Sequence, residues 1–299
     1  MQRRTFLLQS SGLLLSVWML PAFARPLIRN KMDRIGMGTV LMRYRFKQTK
    51  PKELPTIKDE LTLPDVPQYY RDRFGVSKLE YWSNHFESLE PGYLELLKSK
   101  IKASGSQLVN VQVDSDYDLA SANETERERS LQHVKGWIDA VALLGAQCVR
   151  INPGHANGSV EKSIASMKEV NHYAKSKGLI LLTENHFGIE MNPDIHLQIV
   201  KAAGPGNIYT LPDFGNYPKT GMFASLEKIL PYAGLISAKA MNFNSNMEHV
   251  SYDFDRCVKM TEKAGFKGVY SVEQWSPDFQ DIDYAKVGDW LIQHVAANI

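Results

Sequence analysis

The chain has two cysteines in 299 residues, Cys148 and Cys257. Two thiols so far apart make neither a disulfide framework nor the paired spacing of a zinc site. One sits in an apolar run and the other in a helical pattern, and both read as buried thiols. Neither sign of charge dominates: 35 Lys and Arg stand against 33 Asp and Glu, a formal net charge of +2. That balance gives no electrostatic footprint for nucleic acid or for an anionic membrane. No G-x-G-x-x-G follows the first strand pattern, which counts against an open, doubly wound sheet with a dinucleotide loop. A stable membrane anchor is not expected either. The apolar stretch near the start is interrupted by Gln9, Ser10, Ser11 and Gly12, and falls short of a span of ~20 residues.

That first stretch has another reading. Arg3-Arg4-Thr5-Phe6-Leu7 opens it, apolar residues follow to about Leu20, and Ala22-Phe23-Ala24 closes it. A charged start, a short apolar middle and an Ala-x-Ala end describe an export signal. The paired arginines match the twin-arginine type. We expect residues 1–24 to be a signal peptide cleaved near Ala24, with the twin-arginine export machinery as partner and a periplasmic destination. Residues 25–33 would be a short linker, and the intact mass of the exported chain tests the cleavage site.

From Arg34 onward one unit repeats. A glycine opens a short apolar strand, polar residues follow, and a helical pattern leads to the next glycine. The glycines are Gly75, Gly105, Gly145, Gly178, Gly206, Gly234 and Gly268. Most lie about thirty residues apart, the length of a βα unit. With an opening strand at Arg34-Ile35-Gly36-Met37-Gly38-Thr39, the count is eight strands. Helices between them are legible. Asn123 with Glu126 signals a helix start, and Leu131, Val134, Ile138 and Val141 form its apolar stripe. Val160, Ile164, Met167, Tyr173 and Ala174 stripe the next. Pro193 suits a first helical position, and Tyr284, Val287, Leu291 and Val295 mark the last helix. Eight strand–helix units in ~265 residues predict an α/β, single-domain (β/α)8 barrel over residues 34–299. Lys47 to Val66, polar and holding Pro51, Pro55 and Pro64, breaks the rhythm. It is expected over the barrel mouth as a lid, or as a surface insertion.

Three strand patterns end in a carboxylate. Leu179-Ile180-Leu181-Leu182-Thr183 runs into Glu184-Asn185-His186, Asn207-Ile208-Tyr209-Thr210-Leu211-Pro212 into Asp213, and Gly268-Val269-Tyr270-Ser271-Val272 into Glu273. In a barrel, the carboxyl ends of the strands converge on one mouth, where catalytic residues gather. Period-two geometry puts His186 on the face of Glu184, and Ser237 with Lys239 on another. Three carboxylates in one apolar-walled mouth repel one another. A divalent cation, Lys239 or protonation must offset that. An oxygen-rich site with one imidazole suits Mn, Mg, Co or Zn. Lower in weight are Glu80 in the second strand, His155 after the fourth, Asn216 beside Asp213, and Trp275 beside Glu273.

Thr183-Glu184-Asn185-His186, Pro212-Asp213-Phe214-Gly215-Asn216, Ser237-Ala238-Lys239 and Ser271-Val272-Glu273 together resemble the xylose isomerase-like barrel superfamily of sugar isomerases and epimerases. The resemblance runs from about Arg34 to the C-terminus. It implies one divalent metal held by Glu184, Asp213 and Glu273, with Glu184 and Glu273 flanking a carbohydrate as acid and base. The strand-seven histidine of the family is Ser237 here, so His186 becomes an alternative ligand. Lys239 matches the family lysine. The expected reaction is proton transfer next to a carbonyl through an enediolate, with Glu184, Glu273 and Lys239 as catalytic groups. His186, Asn216, His155, Glu80 and Trp275 are the expected substrate contacts. Two alternatives stay open: a lyase or hydratase acting on 3-keto sugars or glycosides, and a non-catalytic carbohydrate-binding barrel. The sequence leaves the oligomeric state undetermined.

Overall fold

The computed structural model describes residues 30–299 apart from 205, 277–279 and 281. The expected signal peptide lies outside the described residues, as does most of the expected linker. Among the described residues, eight strands alternate with eight α-helices. The strands are β1 Ile35–Gly38, β2 Lys78–Trp82, β3 Gln107–Gln112, β4 Cys148–Arg150, β5 Ile180–Glu184, β6 Ile208–Leu211, β7 Ile236–Ala240 and β8 Tyr270–Gln274. Between and after them come α1 Val66–Phe74, α2 Pro91–Ala103, α3 Glu124–Leu144, α4 Val160–Ser176, α5 Pro193–Ala203, α6 Met222–Ile229, α7 Phe254–Lys263 and α8 Tyr284–Asn298. The ladders are parallel, in the order β6-β5-β4-β3-β2-β1-β8-β7. The ring closes through two isolated parallel bridges, Thr210 to Ala233 and Asp213 to Ser237. Pro212, which has no N–H to give, sits at that seam and keeps the pairing sparse. Among the described residues, no helix is long and apolar enough to cross a membrane.

The expected glycines each stand two or three residues ahead of a strand. Gly145 shows why: it ends α3 at φ +76, a left-handed stop that glycine takes without penalty. Asn123 caps α3 as expected, accepting from the amides of Thr125 and Glu126. Its stripe of Leu131, Val134, Ile138 and Val141 is buried against the sheet. Both cysteines are buried and free.

Alternation along the strands separates two cores. Leu181 in β5 belongs to the large core between sheet and helices. Its neighbour Leu182 points into the barrel with Val109, Cys148, Leu211 and Leu235. Each inward set then turns polar at its carboxyl end: Cys148 is followed by Arg150, Leu182 by Glu184, Leu211 by Asp213 and Leu235 by Ser237 and Lys239. A register shift between β2 and β3 pairs Glu80 with Asn110 and leaves Val109 unpaired. Such a bulge re-aims the residues beyond it. Asn110 donates to Glu80 inside the barrel, and Gln112 reaches Glu273 on the far side of β1.

The segment from Lys47 to Val66 is not a lid. Leu61, Leu63 and Val66 are buried in the outer core, the amide of Leu61 bonds the carbonyl of Arg45, and the Tyr81 hydroxyl reaches the Leu63 carbonyl. Those apolar anchors tie the segment to the barrel wall, and none of its residues lines the mouth cavity.

Candidate active site

A cavity of about 620 Å³ opens at the carboxyl ends of the strands, lined at its base by Gln112, Arg150, Glu184, Lys239 and Glu273. This volume falls within the usual range for small-ligand sites. Glu184, Asp213 and Glu273 offer carboxylate oxygens that all lie within 4.8 Å of one another. All three are at most 4% exposed. Neighbouring strands from β4 to β8 thus deliver acids and cations to one dry place, because each inward set ends there.

The contacts fix the arrangement. Lys239 Nζ lies 2.8 Å from Asp213 Oδ2 and 4.0 Å from Glu273 Oε1. It also donates to the Asn216 side-chain carbonyl, and Asn216 Nδ2 in turn donates to Glu184 Oε1 at 3.2 Å. Asn216 therefore couples the lysine to the first glutamate. Gly215 leaves room for the lysine, since a Cβ there would meet its Cε at 3.0 Å. Asp213 is held from several sides. Its Oδ1 accepts from the amides of Gly215 and Asn216, and its Oδ2 from the Ser237 hydroxyl at 3.0 Å. The Asn185 side chain clamps the Asp213 backbone, accepting from its N–H at 2.8 Å and donating to its carbonyl. Gln112 Nε2 donates to Glu273 Oε2 at 3.2 Å.

Arg150 was not among the residues singled out from sequence, yet it is central. Its Nη1 pairs with Asp114, and its Nε stands 3.0 Å from Glu184 Oε2. The latter pair is close but off the N–H axis, so the charges attract while Glu184 Oε2 makes no hydrogen bond. A buried carboxylate oxygen without a donor is an open coordination position.

Burial dominates the electrostatics. It pushes Glu273 up to about 7, with Lys239 pulling against it and Asp213 adding to it. Burial also raises Glu184 well above the carboxylate range, opposed by Arg150 and reinforced by Asp213 and Glu273. Burial alone would depress the Lys239 ammonium, but Asp213, Glu273 and Glu184 outweigh it and hold lysine above its ordinary value. Lys239 thus remains a cation beside two glutamates that titrate late.

The other expected residues divide. Asn216, His186, His155 and Trp275 line the cavity. His186 lines the cavity with Glu184, as the alternation predicts, but its ring nitrogens are not among the clustered ligand atoms. Burial and the nearby Arg150 depress it to about 4. His155 stands at the rim, two-thirds exposed, 3.5 Å from Asp118. Glu80 does not reach the cavity. It lies fully buried deeper in the barrel, accepting from Asn110 and from the Ser271 hydroxyl. Ser237 is spent on Asp213 and does not face the cavity.

The donor set fits a divalent cation. Three carboxylates suit a hard ion, and Glu184 Oε2, ion-paired with Arg150 at 3.0 Å, accepts no hydrogen bond. Lys239 on Asp213 is the feature such an ion must share the site with.

Residues 73–294 match the family described as xylose isomerase-like TIM barrel. No curated protein matches the chain. Solved structures of the same fold include a xylose isomerase-like TIM barrel protein from Mycobacterium smegmatis in complex with magnesium. It is 13% identical, with a TM-score of 0.59, covering 89% of this chain and 97% of that one. A 3-keto-D-glucoside 4-epimerase from E. coli is 14% identical, with a TM-score of 0.61 and coverage of 87% and 99%. An L-ribulose 3-epimerase is 17% identical, with a TM-score of 0.65 and coverage of 89% and 92%. These identities establish a shared fold. The match over residues 73–294 goes further, and the chain belongs to the xylose isomerase-like TIM barrel family.

Proposed function

We propose that the chain is a sugar isomerase or epimerase that moves a proton at a carbon next to a carbonyl. The observation that carries this reading is the pairing of Glu184 and Glu273, raised by burial, on either side of a cationic Lys239. Proton transfer of this kind needs a base whose pKa lies near the working pH, and an acid to return the proton. In this reading Glu273, at about 7, takes the proton, Glu184 returns it, either to the neighbouring carbon or to the opposite face, and Lys239 stabilises the enediolate oxygen. Asn216 ties the lysine to Glu184 and orients both. The shared fold of two sugar epimerases supports the substrate class.

Glu184, Asp213 and Glu273 would hold one divalent cation, of the Mn, Mg, Co or Zn group. When bound, it supplies a Lewis acid that polarises a substrate carbonyl or hydroxyl. The magnesium-bound structure of similar fold supports the assignment. The reading of residues 1–24 as an export signal would make the substrate a periplasmic carbohydrate.

The test is solvent hydrogen exchange. The protein is incubated in D2O with a panel including D-tagatose, L-ribulose and a 3-keto-D-glucoside, and followed by NMR. We expect loss of the proton beside the carbonyl of at least one sugar, with an isomer or epimer as product. A product lacking its leaving group, or one that has gained water, would favour the lyase or hydratase. Binding without exchange would reject catalysis.

A further inference from the structure

Phe187 is the most exposed large apolar side chain among the described residues, at 67%, and it lines the cavity rim. Its backbone is left-handed, φ +62, a conformation that costs a bulky residue energy and that Gly or Asn would take more easily. Loose loops do not hold such a residue, and this one is not loose. On one side, Asn185 is clamped to Asp213. On the other, Gly188 bridges His155, donates to Glu190 Oε1, and lies so close that a Cβ would meet the Gly154 carbonyl at 2.1 Å. The loop is determined at both ends, and the strain persists between them. The ring is therefore presented to solvent, at a cost, from a rigid seat.

The strand order decides what the ring faces. In an eight-stranded ring, β1 is opposite β5. Trp82 ends β2 and Trp275 follows β8, so the two flank β1, their rings edge to face at 6.1 Å. Trp275 is itself 37% exposed. The mouth thus carries aromatic side chains on opposite sides, Phe187 exposed on one and Trp275 stacked by Arg43 on the other, above a base made of carboxylates, Arg150 and Lys239. The charged groups lie at the base of the cavity, and Phe187 stands at its rim.

We infer that the substrate is a glycoside whose reacting ring carries the carbonyl at the base of the site and whose second ring stacks on Phe187. This rests on the proposed carbohydrate substrate and narrows it. An aromatic ring paired with Phe187 gains roughly 0.5–1.5 kcal/mol beyond area burial, equivalent to about a 2- to 13-fold change in affinity.

Calorimetric titration of the full chain tests it. The probes are methyl β-D-glucoside, phenyl β-D-glucoside and cellobiose, with the methyl and phenyl galactosides beside them. In the wild type, a glycoside with a second ring binds about 2- to 13-fold tighter than its methyl counterpart. A gain with phenyl identifies an aromatic second ring, and a gain with cellobiose identifies a sugar. In Phe187→Asn the gain disappears, methyl glycoside affinity stays, and the melting temperature is no lower, because Asn accepts the left-handed backbone. Phe187→Leu, which keeps apolar bulk without a ring, also loses the gain. Equal binding of methyl and ring-bearing glycosides, or a gain that survives both variants, overturns the inference. If none of the glycosides binds, this inference falls, whereas the proposed function falls only if the keto sugars also show no hydrogen exchange in D2O.

Discussion

Glu273→Gln is expected to lower the rate of solvent hydrogen exchange into substrate by about 10²- to 10⁴-fold, the range that a positioned acid or base contributes. The amide is nearly isosteric and can still meet Gln112 and Lys239, so the site keeps its shape. What is lost is the carboxylate oxygen on that side of the cavity base that can accept a proton and hold it. Carbohydrate affinity should change little, which separates a chemical defect from a binding defect. Exchange at an undiminished rate would remove Glu273 from the mechanism.

Arg150→Met is expected to cost about 3–5 kcal/mol of folding stability at neutral pH, as removal of one partner from a buried ion pair does. Arg150 is 1% exposed and stands between two acids, Asp114 and Glu184. Methionine fills part of the volume but leaves Asp114 without its counter-charge and Glu184 with only the more distant Lys239. The pH dependence gives the cause. Burial would raise Asp114, but Arg150, helped by His186 and the Trp82 indole N–H, holds it well below the carboxylate range. A depressed acid contributes stability that is present above its unfolded pKa, about 3.9, and lost as pH falls through its folded value. Without Arg150 that contribution is gone already at neutral pH, and protonation relieves the variant first. The gap between wild type and variant, read by urea unfolding, should therefore narrow towards acid. A neutral-pH loss below about 1 kcal/mol would show that Arg150 is not holding the acids in place.

Much of this was legible in the sequence because a charge at the end of an apolar run has no packing reason to be there. Glu184, Asp213, Glu273 and Lys239 announce themselves in that way, and the eight glycine-opened units give the ring that brings them together. Arg150 did not, since β4 is only three residues long and its arginine leads straight into Ile151. Gln112 was hidden by the bulge at Val109, which changes which residues of β3 face inward. His186 reaches the cavity as the alternation predicts but stands outside the carboxylate cluster. Glu80 has the right face but the wrong depth. The segment from Lys47 to Val66 looked like a lid because its prolines are conspicuous. Leu61 and Leu63, two residues apart, are the part that decides where it packs.

The central claim is that Glu184, Asp213 and Glu273 act as one cation-binding centre beside Lys239. Titration of the protein with Mn²⁺, read by electron paramagnetic resonance, measures this without any substrate. The expected result is one bound Mn²⁺ per chain, displaced by Mg²⁺ and lost in both Glu184→Gln and Asp213→Asn. Binding that is unchanged in both variants, or no binding at millimolar Mn²⁺, would contradict the claim and leave Lys239 as the site's resident cation.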